Sequence, residues 1–221
     1  MNTQPQSRTH RAMREEMQAR LIDATAQMLV ERGYAHTSVQ AICDRAAVTK
    51  GALFRHYERR TDLLAAAAQH IFSALTQRFA ERFIGLAPGS DFARRTVELL
   101  RDHMSDPLMQ AAQELQTAAR TDNVLHETLG PVFEDYRHGA RLMATQLFPN
   151  ASVKNPDFEA VVDVFLSALS EEATCARILP ETDAEADRRG ARLNFLARLA
   201  DSEILRHEPG LTQSRTGRSF P

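Results

Sequence analysis

Residues 20–64 read RLIDATAQMLVERGYAHTSVQAICDRAAVTKGALFRHYERRTDLL, and this stretch decides the fold. Thr37 opens Thr-Ser-Val-Gln, the form of a capping box: the threonine hydroxyl takes an orphan backbone N–H and Gln40 reaches back from the third helical position. The helix so predicted runs to about Arg45. Ala46-Ala47-Val48 makes a tight connection, Thr49 can cap a third helix to about Tyr57, and Thr61 a fourth. Two short capped helices joined by three small residues are the sequence form of a helix-turn-helix, whose second helix is shaped to enter a DNA major groove. Leu53 and Tyr57, four apart, are expected to pack inward with Val39, Ile42 and Val48. That leaves Gly51, Ala52 and Arg55 facing away, flanked by Lys50, Phe54 and His56. On this outer face Gly51 and Ala52 cannot hold the backbone off base edges, and Arg55 carries the fork that guanine accepts. Ala52 can meet a thymine methyl, while Lys50 and His56 can reach phosphates. Thr37 and Thr49 sit at helix N-termini, where free amides and the dipole favour a phosphate, although capping alone explains both.

Outward from this centre the chain reads as helices throughout. Met17, Leu21, Ala24 and Met28 recur at helical steps within 13–32, and Gly33 is the stop signal. TDLLAAAAQHIFSALTQRFAERF, residues 61–83, is a long alanine-rich helix with Phe72, Phe79 and Phe83 near one face. Gly85 to Ser90 breaks it, Asp91 can cap the next, and further helices are expected at 107–119, 122–129 and 131–147, with Gly130-Pro131 dividing the last two. Residues 148–156 read as a loop. Two helices follow, one with Phe158, Val161, Val162, Phe165, Leu166 and Leu169 on its apolar face, the other starting near Thr182 with Leu193, Leu196, Ala197, Ala200 and Ile204. No repeat and no credible strand is found, so the expected class is all-α. The expected division is a disordered arm at 1–10, a helix-turn-helix domain at 11–60, a larger helical domain at 61–206 and a disordered tail at 207–221.

Composition agrees. The 221 residues are 43% hydrophobic and 25% charged, the balance of a globular chain with a real core. No apolar run approaches a membrane span and the first residues lack a secretory h-region, so a cytoplasmic protein is expected. Two cysteines, Cys43 and Cys175, cannot form a disulfide framework. Residues 1–60 carry ten Lys/Arg against six Asp/Glu, whereas the rest carry seventeen against twenty-three, so the overall charge of −2 hides a basic first quarter suited to phosphates. Arg8, Arg11 and Arg14 precede the first helix and can either reach a minor groove or stay solvated.

The ordered set Ala24, Gly33, Thr37-Ser38, Ile42, Ala46 to Val48, Thr49 with Gly51, Phe54-Arg55-His56-Tyr57, Arg60 and Leu63 resembles the DNA-binding region of the TetR (tetracycline-repressor-like) family of transcriptional regulators. The resemblance implies a homodimer whose N-terminal helices bind an operator palindrome while the remainder holds an effector pocket and the dimer interface. Carried over by position, it assigns Thr37, Lys50, Phe54, His56, Tyr57 and Arg60 to phosphates and Ala52 and Arg55 to bases. Three positions depart from the family pattern: Ala47 stands where glycine is usual, Cys43 where alanine is usual and Arg60 where lysine is commoner. Alanine at a left-handed turn position costs about 1 kcal/mol. Cys43 is expected to be a small core residue.

Residues 114–149 also look like a segment of many TetR-family effector domains, and the resemblance makes the helices at 157–177 and 182–206 the dimerising pair. The expected dimer contacts are Phe158, Val162, Phe165, Leu169, Leu193, Leu196, Ala200 and Ile204, although packing within one subunit explains the same stripes. If the middle helices enclose a pocket, its lining is expected from Phe72, Phe79, His103, Met104, Met109, Tyr136, Met143 and Phe165, taking a largely apolar small molecule; core filling explains many of these as well. No nucleophile elbow, phosphate loop or zinc spacing occurs; His126-Glu127 lacks the second histidine of a zincin, and Glu134 with His138 reads as an exposed polar pair before it reads as a metal site. Asn150-Ala151-Ser152 matches a glycosylation acceptor without an accompanying secretory signal. The chain therefore reads as a non-enzymatic, ligand-responsive repressor without cofactor, metal or membrane. The alternatives are an activator of the same family, a helical carrier or enzyme retaining the helix-turn-helix as scaffold, and a nucleic-acid-binding protein without an effector.

Overall fold

A computed structural model describes residues 5–180 and 182–212, and among them there are helices and no strands. Helix α1 spans Pro5–His36, α2 Val39–Ala46, α3 Lys50–Phe54, α4 Arg60–Ile84, α5 Phe92–Ser105, α6 Pro107–Ala119 and α7 Asn123–Leu147. Then come α8 Pro149–Lys154, α9 Phe158–Ile178, α10 Asp183–Glu203, a 3₁₀ turn at Leu205–His207 and α11 Pro209–Thr212. The helix α1 begins inside the stretch expected to be a disordered arm, and residues 1–4 lie outside the described residues. The 3₁₀ turn and α11 likewise occupy the start of the expected tail, of which 213–221 lie outside.

Two compact units form, and the expected division at 60/61 falls inside the first. One holds the chain up to Ala74 together with Pro107–Glu134; the other holds Leu75–Asp106 and the chain from Asp135 onward. In the first unit Leu21, Ile42, Leu53 and Leu63 are fully buried, with Cys43 and Ala46 beside them and Val39, Val48 and Tyr57 packed against the cluster. The inward register expected for the two short helices is what the structure shows, and each fully buried leucine or isoleucine contributes roughly 1.5–3 kcal/mol. Helix α6 joins this unit by packing on α1. Gly33, at φ 73°, lets the chain bend there, and a Cβ on it would lie 2.7 Å from Oε1 of Glu114. That carboxylate oxygen accepts the Tyr34 N–H at 2.8 Å, so a side chain at 33 would displace this bond, while the positive φ is what requires glycine.

Three local expectations need correction. Helix α7 runs unbroken through Gly130 and Pro131, because the proline forfeits one hydrogen bond while both flanking halves bury Leu125, Leu129 and Val132 on the same side. Residues 149–154 are helical, not loop: Pro149 takes the first helical position, where its missing N–H costs nothing. The backbone amides of Asn150 and Ala151 donate to the buried Glu208 carboxylate at 2.7 and 2.9 Å, and Asn150 Nδ2 donates to it at 2.9 Å. Glu208 thus holds the N-terminus of α8 from the chain's far end. Helix α4 starts at Arg60, its entry held by Asp62 accepting the Arg59 N–H, whereas Thr61 Oγ1 caps nothing.

In the second unit α5 packs on both α9 and α10. Helices α9 and α10 are tied by ion pairs invisible to apolar periodicity. Glu172 accepts from Arg189 Nε at 2.9 Å and Arg192 Nε at 2.6 Å, and Glu185 accepts from Arg188 and Arg192, both at 2.9 Å. Both carboxylates are buried, and holding each with two guanidinium groups is the arrangement that offsets their desolvation.

Candidate nucleic-acid interface and cavity

The outward face of the two short helices is built by two caps and a strained turn. Ser38, not Thr37, caps α2: its Oγ accepts the Ala41 N–H at 3.2 Å, and Gln40 donates to Asp44 instead of reaching back. The frame shifts by one because the Thr37 side chain is fully buried and its Oγ1 donates to the Gly33 carbonyl at 2.7 Å. Thr49 does cap α3, accepting the Ala52 N–H at 3.2 Å. Between them Ala47 adopts φ 52°, ψ 49°, the left-handed conformation where an alanine is strained, and its N–H closes the turn onto Asp44 and Cys43.

Helix α3 is five residues long, so the chain turns at Arg55 and His56 where continued helix is expected. Lys50, Gly51, Phe54 and Arg55 are exposed and Ala52 is half-buried, so the outward side is small in the middle and cationic at both ends. A Cβ on Gly51 would meet only Thr49 Oγ1, at 3.9 Å, and the residue has no positive φ. The protein's own packing does not require glycine there. His56 is half-buried, its Nδ1 shielded without a partner in the protein. Tyr57 packs on the core, where burial raises its phenol pKa.

Two of the positions assigned to phosphates are occupied internally. Thr37 is buried as described, and Arg60 donates through Nε to the Thr37 carbonyl at 2.9 Å and through its other nitrogens to Tyr34 O and Oη at 3.3 Å, with its guanidinium 4.7 Å from the Tyr34 ring centre. Arg60 therefore fastens the end of α1 to the start of α4. Arg11 pairs with Glu15 on α1, and the Arg8 side chain lies outside the described ones. Arg45, tied to Glu31 and Gln27, is likewise committed. Cys43 is buried and its thiol pKa is raised by that burial, which fits a core residue.

The second unit contains a cavity of about 100 Å³ that is partly open to solvent. Of the expected lining, Phe79, His103, Tyr136, Met143 and Phe165 are there. Phe72, Met104 and Met109 are not: Phe72 stacks edge-on with Phe133 at 5.3 Å in the first unit, Met109 is buried there too, and Met104 is buried away from the cavity. Periodicity marks an apolar face without saying whether it meets a void or another helix. The sequence reading missed Thr76, Phe83, Thr96, Leu100 and Phe148; Thr96, Leu100 and His103 share one face of α5, a signal that was legible. Phe79, Phe83 and Phe148 form an aromatic wall, with ring centres 6.1 and 5.5 Å apart, and His103 lies 5.2 Å from Phe79. His103 Nε2 and Tyr136 Oη are hydrogen-bonded at 3.0 Å. Burial lowers the imidazole to about pKa 4, helped by Arg82 and Arg78 and opposed by Asp106, and burial raises the phenol.

The expected dimer residues are mostly covered within the chain. Phe158, Val162, Phe165, Leu169, Leu196, Ala200 and Ile204 are buried, four of them in the cavity wall, and Leu193 is half-buried. On the same two helices the large apolar side chains left in solvent are Val164 (51% exposed), Ile178 (77%) and Phe195 (57%). Among the described residues no group of three or more His, Cys, Asp or Glu is placed to hold a metal, and no helix is long and apolar enough to cross a membrane.

A helix-turn-helix with a small, cationic outward face on an all-helical chain defines a DNA-binding regulator class. Comparison with known proteins narrows it. Residues 21–67 match the pattern described as bacterial regulatory proteins, tetR family. The chain is 31% identical to an uncharacterised HTH-type transcriptional regulator of Mycobacterium tuberculosis over 82% of this chain and 93% of that one. Among solved structures, a TetR transcriptional regulator from Chloroflexus aurantiacus superposes with a TM-score of 0.66 at 20% identity, covering 87% and 98% of the two chains. A regulator FadR from Bacillus subtilis, solved in complex with stearoyl-CoA, gives 0.57 at 17% identity over 84% and 98%. The chain belongs to the TetR family of transcriptional regulators.

Proposed function

We propose that this regulator is a repressor working in the cytoplasm, without catalytic activity: a homodimer occupies a pseudo-palindromic operator and leaves it when an apolar small molecule enters the cavity of the second unit. The observation that carries the DNA reading is the face of α3, where Gly51 serves no internal purpose and Lys50 and Arg55 stand unburied at either side. Arg55 and Ala52 then read bases, while Lys50, Phe54, His56 and the α3 N-terminus at Thr49 meet the backbone; Tyr57 supports them from the core side. The dimer contact is assigned to the exposed face of α9 and α10, through Val164, Ile178 and Phe195. Two reading helices must enter successive major grooves about 34–36 Å apart, so a ligand favouring any other spacing removes simultaneous contact. Mobility shift with fragments of the source chromosome across a salt series tests this. A sequence-preferring band whose affinity falls steeply with salt is expected. Absence of any preferred fragment at low salt overturns it.

A further inference from the structure

The cavity of the second unit restricts its occupant by charge, by size and by the chemistry of its wall. Among the described residues no Asp, Glu, Lys or Arg lines it, so a carboxylate, phosphate or ammonium entering would lose its water and gain no counter-charge. Its two polar rings are engaged with one another, His103 Nε2 with Tyr136 Oη at 3.0 Å, and burial keeps the imidazole neutral at ordinary pH. The hydroxyls of Thr76 and Thr96 bring no charge, and that of Thr96 is closed off. All other lining side chains are hydrocarbon or thioether. The volume, about 100 Å³, is somewhat below the roughly 150 Å³ of an engineered apolar cavity that takes one benzene molecule. A single ring therefore fills it, with an edge or substituent in the opening to solvent, and a second ring has no room. The rings of the wall already meet edge to face: Phe83 and Phe148 at 5.5 Å and 90°, Phe79 and His103 at 5.2 Å and 65°. An aromatic guest extends that pattern and gains contacts that a saturated guest of the same size does not.

We propose that the cavity takes one uncharged arene of a single ring, held by apolar and edge-to-face contacts, with any small polar substituent left at the opening. This rests on the effector reading above and narrows it: aromatic acids, fused rings and long acyl chains are excluded as occupants. Ala140 and Ala144, one turn apart on α7, both line the cavity, so a longer side chain at either takes up part of the volume the ring needs.

Calorimetric titration of the full chain with benzyl alcohol and three relatives, each differing from it in one respect, tests the proposal. Benzyl alcohol is expected to bind saturably, and benzoate, which adds a charge, at least about 100-fold more weakly. Cyclohexylmethanol, which lacks the aromatic ring, is expected to bind about fivefold more weakly. 2-Naphthylmethanol, with its second ring, is expected to gain nothing over benzyl alcohol despite its larger apolar surface. Ala144→Leu and Ala140→Leu place the guest: each is expected to weaken benzyl alcohol at least about tenfold while the helical circular dichroism stays that of the parent. No binding of benzyl alcohol, benzoate or cyclohexylmethanol binding as tightly as it does, 2-naphthylmethanol binding more than tenfold tighter, or unchanged binding in a folded leucine variant overturns the proposal. If benzyl alcohol binds as described without altering operator affinity, the ligand class stands and the release mechanism falls. If a charged or fused-ring molecule releases the operator while benzyl alcohol does not bind, the reverse holds.

Discussion

Ala47 is the clearest case of a single residue held against its preference. At φ 52° its Cβ crowds the backbone, and the turn it forms is maintained by the burial of Ile42 and Leu53 on either side. Ala47→Gly is expected to raise unfolding free energy by up to about 1 kcal/mol, read as a higher denaturant midpoint with unchanged slope; a lower midpoint contradicts the strain. The departure from the family's usual glycine was legible from sequence, because only position was needed. His103 illustrates what was not: its burial depends on helices distant in sequence, α4 bringing Phe79 and α7 bringing Tyr136 against it. Its folded-state pKa, about 4 against 6.5, is depressed, so between those values the unfolded chain binds a proton that the folded chain does not. Stability therefore falls as pH drops from 6.5 to 4, with a contribution from this group on the order of 2–3 kcal/mol. Chemical denaturation at a series of pH values should show a smaller acid loss in His103→Gln than in the parent chain; identical pH profiles exclude it.

At the level of the element, the recognition role proposed for α3 can be tested apart from its packing. Leu53 alone is fully buried on it, and the rest of its surface has little to do for stability. Gly51→Ala is expected to leave the fold intact, or stabilise it by about 0.5–1 kcal/mol through helix propensity, while operator binding is lost. Arg55→Ala should flatten the preference among fragments, whereas Lys50→Ala should weaken all fragments alike and lower the salt slope by about 1 per site. Mobility shift on specific and scrambled fragments reads both, and uniform loss from Arg55→Ala removes it from base reading. The same element shows how local rules reached their limit. Two hydroxyls stand side by side at 37 and 38, either able to cap; the choice fell to Ser38 because Thr37 was drawn into the core beneath Arg60, a contact across 23 residues. Pro131 misled for a related reason, since the burial on both sides of it outweighed one missing backbone bond.

At the scale of the whole molecule, the all-helical class and the helix order followed from periodicity and caps, but the assignment of α6 to the first unit did not, because packing of α6 on α1 is a tertiary fact. The same gap explains the dimer residues: sequence finds an apolar stripe and cannot tell inner wall from outer face. With Val164 and Phe195 as the outer face, Val164→Glu and Phe195→Glu are expected to give folded monomers by analytical ultracentrifugation and to lose at least about 100-fold in operator affinity, since each half-site then binds alone. Dimers that persist in both variants put the interface elsewhere. The Glu208 anchor bears on how the molecule can be handled. Trimming the chain at the end of α10 to aid crystallisation would strip Leu205 from the cavity and the carboxylate from α8 together, so a shortened protein would be unsuitable for ligand screening. An affinity tag at that end belongs beyond Thr212, with a spacer long enough that its pull never reaches the acid.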